Sequence, residues 1–261
     1  MSEDSNLFYR MVDWDKRLNR EKDFFHNLVK DLKPSECNVL DLGCGIGHHL
    51  ILLASWGYHG YGIDYSEESI ELAMKRVKEF NLEHLLEFAF GDMRNLQKNV
   101  KDMKFGLILC LGNSFALFPK EERLSIIEQA INSLKPGGKI VVQVVNYFKN
   151  KNKSVWTINP KAFREKNGLI SFFVRILEWK DVTKEKVRMY VQRLKQQENN
   201  LDEFKQSQKI TEFFAIRKED FHVYNEISNL RLRFLGDFNY SPFNEETSKD
   251  LIFIIEKKRK Q

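Results

Sequence analysis

Apolar residues recur at intervals of three and four between Asp15 and Leu32, at Leu18, Phe25, Leu28, Val29 and Leu32, and this period predicts an amphipathic helix closed by Pro34. A short apolar strand, Asn38 to Leu42, runs into Gly43-Cys44-Gly45-Ile46-Gly47, and a helical pattern follows through Leu50, Leu53 and Ala54 to Gly57. Tyr58 to Ile63 reads as a second strand ending at Asp64. Ser66 is placed to cap the next helix, with Glu67 and Glu68 in its first turn and Ile70, Ala73, Met74 and Val77 along one face. Leu86 to Phe90 alternates as a third strand before Gly91-Asp92. Phe105 to Leu111 is continuously apolar, as expected of a strand buried on both faces. A further helix over Glu121 to Leu134 is stopped by Pro136-Gly137-Gly138, and Lys139 to Val145 is a fifth strand.

Strands alternating with helices at this spacing predict an α/β fold, a parallel sheet with helices on both faces. Beyond residue 150 the pattern changes. Leu169 to Trp179, Lys186 to Lys195 and Lys209 to Ile216 are rich in β-branched and aromatic residues, which predicts antiparallel hairpins inserted after the fifth strand. A helix over Lys218 to Asn229 and strands over Leu230 to Leu235 and Leu251 to Glu256 then complete the alternation. The expected organisation is a single domain: an N-terminal helical cap (1–34), an α/β core (35–150), a β insertion forming an acceptor lid (151–217), and a C-terminal helix and strands (218–261).

Composition narrows the function classes. The chain has 42 basic and 37 acidic residues, but Lys257, Lys258, Arg259 and Lys260 carry nearly all the surplus, so nucleic acid is not the expected partner. The run itself reads as a solvated terminus. Cys37, Cys44 and Cys110 form no C-x-x-C pair and suggest neither a disulfide framework nor a metal, and the adjacent His48 and His49 cannot share a face as an i, i+4 ligand pair would. The longest apolar runs fall far short of the roughly 20 residues that cross a bilayer, and the start, Met1-Ser2-Glu3-Asp4, is acidic where a signal peptide is basic. The expectation is a cytoplasmic protein with no membrane partner, for which a homo-oligomer stays open.

In open α/β sheets ligands bind outside the carboxyl ends of the strands. Asp41 to Gly47, Asp64, Asp92 and Leu111 to Phe115 stand there. Glycines at 43, 45 and 47 allow close approach of the backbone, Asp64 is positioned to accept from ribose hydroxyls, and Asp92 from an adenine amino group. A dinucleotide fingerprint fails because its third glycine would be His48. Asp41, two residues before the first glycine, suits a cationic centre better than a pyrophosphate.

With Val39-Leu40-Asp41-Leu42-Gly43-Cys44-Gly45-Ile46-Gly47, Gly62-Ile63-Asp64-Tyr65-Ser66, Gly91-Asp92-Met93 and Leu134-Lys135-Pro136-Gly137-Gly138, the chain resembles the class I S-adenosylmethionine-dependent methyltransferases. The resemblance implies a Rossmann-like sheet and S-adenosylmethionine as cofactor. It implies that the glycine turn holds the methionine part, Asp64 the ribose, Asp92 and Met93 the adenine, and Leu111 the sulfonium side, with Arg20, Asp41, Cys44 and Tyr65 also at the cofactor. A narrower similarity, to glycine N-methyltransferases and related small-amine enzymes, rests on Cys110-Leu111-Gly112-Asn113-Ser114-Phe115-Ala116, Asn146-Tyr147 and Leu235-Gly236-Asp237-Phe238. It implies that Asn113 contacts the acceptor and that Arg20 pairs with the cofactor carboxylate. Those enzymes carry an arginine for the substrate carboxylate just before Asn-Tyr, where this chain has Val145, so glycine is not the expected acceptor. Tyr9, Tyr147 and Tyr240 are further candidates near the cleft. The expected reaction is methylation of an amine or hydroxyl of a small molecule. RNA or protein methylation and non-catalytic cofactor binding remain as alternatives.

Overall fold

The computed structural model describes residues 12–164, 168–181, 183–197, 200 and 202–259. Tyr9 lies outside them. Two compact units make up the chain: Tyr147–Ile216 forms one, and the segments before and after it form the other.

The larger unit is built on a seven-stranded sheet. Its strands are β1 (Asn38–Leu42), β2 (His59–Asp64), β3 (Leu86–Phe90), β4 (Phe105–Cys110), β5 (Leu134–Val145), β10 (Leu230–Leu235) and β11 (Asp250–Lys257). The order across the sheet is β3-β2-β1-β4-β5-β11-β10. The pairs from β3 to β5 are parallel, whereas β11 runs against both β5 and β10. Every residue of β4 is buried, as its unbroken apolar run requires. Because β11 is reversed, its first residue, Asp250, lies opposite Val145, the last residue of β5.

One face of the sheet is covered by α1 (Trp14–Val29), α2 (His48–Ala54) and α3 (Glu67–Glu79), whose Phe24, Phe25, Leu28, Leu50, Leu53, Ile70 and Val77 pack against Val39, Leu107, Val141, Ile252 and Ile254. Ser66 caps α3 as expected, its Oγ accepting from Ser69 N at 3.2 Å. The other face carries α4 (Lys120–Ser133) and a layer in which Phe221 stacks on Phe253 at 4.1 Å, with Phe115 at 5.9 Å from the same ring.

The smaller unit is a four-stranded antiparallel sheet in the order β6 (Val155–Arg164), β7 (Ile170–Trp179), β8 (Lys186–Gln196) and β9 (Phe204–Phe214). Three departures from the pattern-based expectation have physical causes. β6 was not foreseen because Asn159-Pro160 interrupts it; the register shifts between Ile158 and Lys161, and proline is tolerated on an edge strand at such a bulge. Lys218–Asn225 is a 3-10 helix rather than an α-helix reaching Asn229, and its two buried residues, Phe221 and Tyr224, stand three apart, the period of that tighter helix. The basic tail is tied down at its start: Lys257 Nζ donates to the carbonyls of Ile131 and Leu134 where α4 ends and Lys258 Nζ donates to Ser228 O at 2.7 Å, while Lys258 and Arg259 are exposed as expected. Among the described residues no helix is long and apolar enough to cross a membrane.

Candidate active site

The loop leaving β1 has no room for a side chain at Gly43 or Gly47. Gly43, Gly45 and Gly47 all have positive φ (73°, 55° and 77°), a region costly for any other L-residue. A Cβ on Gly43 would come within 2.9 Å of Ser114 Oγ and 3.2 Å of Met93 Cε. The loop is anchored to the end of β2: Gly43 N and Cys44 N donate to Ile63 O, and Gly45 N donates to Asp64 Oδ2 at 2.8 Å. Asp64 Oδ1 accepts from Ser66 N at 2.9 Å, so one carboxylate holds both the glycine turn and the start of the next helix. Burial pushes this carboxyl up, against the backbone hydrogen bonds that pull it down. A carboxylate has about four acceptor positions, which leaves Asp64 capacity for a further donor beyond the backbone N–H groups that hold it.

Asp41 is fully buried beneath the turn. Burial, with the nearby charge of Asp64, pushes its carboxyl up to about 6 against the opposing pull of His49 and Arg17. Cys44 turns its thiol under the loop, where it would meet a Cβ on Gly62 at 2.8 Å; it offers the site only its backbone, and burial pushes the thiol well up. Met93 is buried against Gly43, and Leu111 is buried with its carbonyl accepting from Ser114 Oγ.

Asp92, at the end of β3, is gripped by Arg94, whose Nη2 lies 2.6 Å from Asp92 Oδ2, while the Arg94 backbone N–H donates to Oδ1. The side-chain hydrogen bond from Arg94 holds the Asp92 carboxyl below its ordinary range. Tyr65 is exposed and forms a ring pair at 5.6 Å with Phe90, which is also exposed. Sequence reasoning passed over Phe90, although its position directly before Gly91-Asp92 was available as a signal.

A charged layer behind the turn was also missed. Glu21, with no exposed surface, accepts from Arg17 Nε at 2.9 Å and faces His49 Nε2 at 3.0 Å. Burial would raise this carboxyl, but the His49 hydrogen bond and the charges of His49 and Arg17 hold it below its usual value. Trp14 stacks on His48 at 3.8 Å, nearly parallel, and Arg17 lies over the same indole. Burial, with the nearby arginines and His49, drives His48 down to about 2, so this ring stays neutral and packs. The i, i+4 spacing of Arg17 and Glu21 was the legible hint. Arg20 is largely exposed, 3.8 Å from Glu21 Oε1.

On the other side of Leu111 the chain turns through Gly112 and Asn113, both with positive φ. Asn113 Oδ1 accepts from Val145 N at 2.9 Å, and Gly112 N donates to Gln143 Oε1 at 2.8 Å. Gln143 Nε2 in turn donates to Asp250 Oδ1 at 2.7 Å. Asn146 fastens the following loop by donating to the carbonyls of Glu245 and Ser248. Tyr147 begins the smaller unit, buried against Phe213. Tyr240 does not stand at the carboxyl edge. Its hydroxyl donates to Phe24 O at 3.1 Å, and it lines a surface cleft with Lys139, Arg231, Arg233 and Glu256, residues towards the opposite end of β5 and its antiparallel neighbours. A role for Tyr240 in catalysis is therefore corrected to one in packing α1 onto the sheet.

The residues at the carboxyl edge fit S-adenosylmethionine. A turn of three left-handed glycines stands beside the Asp64 carboxylate, and a buried acid lies beneath the turn.

The family model described as a methyltransferase domain matches residues 33–229. A glycine/sarcosine N-methyltransferase from Parasynechococcus marenigrum is 31% identical over 139 residues, covering 53% of this chain and 48% of that one. A norajmaline N-methyltransferase from Rauvolfia serpentina is 32% identical over 138 residues, covering 52% and 45%. The chain thus spans about half the length of the curated relatives it matches. Among solved structures, an S-adenosylmethionine-dependent methyltransferase from Clostridium acetobutylicum superposes with a TM-score of 0.72 at 17% identity, covering 97% of this chain and 96% of that one, which attests to the fold.

Proposed function

Because the chain belongs to the class I S-adenosylmethionine-dependent methyltransferases, we propose that it methylates an amine nitrogen of a small molecule. The observation that carries this reading is the Gly43–Gly47 turn, three left-handed glycines pinned to Asp64 and Ile63 above a buried acid. The names of the relatives, N-methyltransferases acting on different amines, support nitrogen over oxygen as the acceptor atom.

S-Adenosylmethionine supplies, when bound, a methyl group on a sulfonium whose transfer asks chiefly for in-line approach of the acceptor, and positioning of this kind contributes much of the acceleration. The glycine turn would hold the methionine part, with Arg20 on its carboxylate; Asp64 would accept from the ribose, and Phe90, Tyr65, Asp92 and Met93 would frame the adenine. Asn113, its Oδ1 fixed on Val145 N, would aim the acceptor. The attacking amine must be neutral; its lone pair would form the new N–C bond as the S–CH3 bond breaks, the sulfur keeping that electron pair and leaving as the neutral thioether, and the ammonium product would then release its proton to water. Burial of the acceptor favours the neutral form.

Calorimetric titration with S-adenosylmethionine, S-adenosylhomocysteine and NAD tests the cofactor reading: the first two bind at micromolar strength and NAD does not. No binding of either sulfur ligand to folded protein would sink it. In Asn113→Ala, cofactor affinity stays within about twofold while turnover drops by a factor on the order of ten, the worth of one hydrogen bond. Unchanged turnover would remove Asn113 from the acceptor side.

A further inference from the structure

Asp250 belongs to no motif. It is the first residue of the one strand that runs against β5, and this reversal carries its carboxylate to the ligand end of the sheet. Paired residues on neighbouring antiparallel strands project from the same face. Asp250 therefore shares a face with Val145, directly opposite, and with Gln143, two residues back on β5. That is the face covered by α1, with Arg17, Arg20 and Glu21. Its Oδ1 is held by Gln143 Nε2, and the same glutamine accepts from Gly112 N, so the carboxylate is coupled through one side chain to the loop that carries Asn113. Its Oδ2 has no hydrogen-bond partner among the described residues, and the side chain is only partly covered.

The pairing with Val145 gives this carboxylate a meaning. Val145, directly across from it, is uncharged, so no cation at the paired position neutralises the anion. Near a fixed carboxylate, a carboxylate-bearing acceptor is repelled and a donor is attracted.

We propose that Asp250 selects the methyl acceptor, its Oδ2 accepting from a second ammonium or hydroxyl group on a short amine that carries no carboxylate. Gln143 is the positioning residue that fixes the carboxylate. This inference rests on the methyltransferase reading and adds the acceptor class to it. Burial raises the Asp250 carboxyl, opposed by the Gln143 hydrogen bond and by the charges of Arg17 and Arg20, with Glu21 acting the other way. A donor at Oδ2 adds to the forces that keep it ionised.

The test is calorimetric titration of the full chain saturated with S-adenosylhomocysteine, using ethanolamine, 1,3-diaminopropane, glycine and sarcosine. Ethanolamine or diaminopropane binds, and which of the two binds tells hydroxyl from ammonium; glycine and sarcosine bind at least tenfold more weakly. Asp250→Asn, which keeps an oxygen for Gln143, lowers affinity for the preferred amine at least tenfold while S-adenosylhomocysteine affinity stays within about twofold. Val145→Arg, which sets a guanidinium opposite Asp250, weakens the amine and strengthens glycine. The inference is overturned if glycine binds as well as the amines, if neither amine binds to the cofactor-loaded protein, or if Asp250→Asn changes nothing. Failure of S-adenosylhomocysteine itself to bind takes down the underlying reading as well, and the first step of the same titration separates the two.

Discussion

The two ends of the site, on either side of Leu111, are built by different means. The Gly43–Gly47 end works through backbone: three glycines free of side chains, two N–H groups on Ile63 O and one on Asp64. The Gly112–Asn113 end works through side chains drawn from distant parts of the chain, Asn113 to Val145, Gln143 to Gly112 and Asp250 to Gln143. A backbone cradle demands one residue type at fixed spacing. A side-chain network accepts many solutions, and so it can vary from one enzyme to the next while the cradle stays.

The contrast breaks first at Gly43. In Gly43→Ala the left-handed φ and the crowding against Ser114 and Met93 together cost about 2 kcal/mol or more, seen as a lower midpoint in urea, and cofactor affinity falls more than tenfold. Wild-type affinity in that variant would mean that the cradle tolerates a side chain. Asp64→Ala, which leaves the Gly43 backbone as it is, is expected to lose about 1.5 to 3 kcal/mol of cofactor binding for lost hydrogen bonds to a charged group, read by calorimetry; an unchanged Kd would remove the ribose assignment. The gentlest test is pH. Asp41 has its carboxyl raised to about 6 by burial, so the ligand-free fold takes up a proton before the unfolded chain does. Stability therefore rises as pH falls from about 6 towards the ordinary carboxylate range. Affinity for a cationic ligand runs the other way, level above pH 6 and weakening by at most about tenfold per unit below it. Asp41→Asn flattens both profiles, and a profile that keeps its bend in that variant assigns it to another group.

How much of this was legible follows from the same contrast. The strands β1 to β5, the glycine turn and the acids at 64 and 92 were readable because periodicity and glycine spacing are local signals. Asp250 was not readable, since nothing near Ser248-Lys249-Asp250 tells that the strand it opens is reversed or that Gln143, 107 residues earlier in the chain, waits for it. The Glu21–His49 contact spans 28 residues and gives no local pattern. Tyr240 was misread because an aromatic near a conspicuous Leu-Gly-Asp-Phe segment looks functional until its hydroxyl is found on Phe24 O. Pro160 hid β6 for the opposite reason, a local signal that the bulge at an edge strand overrides.

The reversal of β11 separates two kinds of freedom. Parallel strands can offer the ligand end of the sheet only the residues that finish them and the loops that follow, which here are the glycine turn, the acids at 64 and 92, and the Gly112–Asn113 turn. A strand entering from that end offers its beginning instead, together with residues 244–249 just before it, whose Glu245 and Ser248 carbonyls Asn146 holds. Insertions or exchanges there leave the registers of β1 to β5 untouched, so this entrance can change length or charge without disturbing the glycine turn or the acids at 64 and 92.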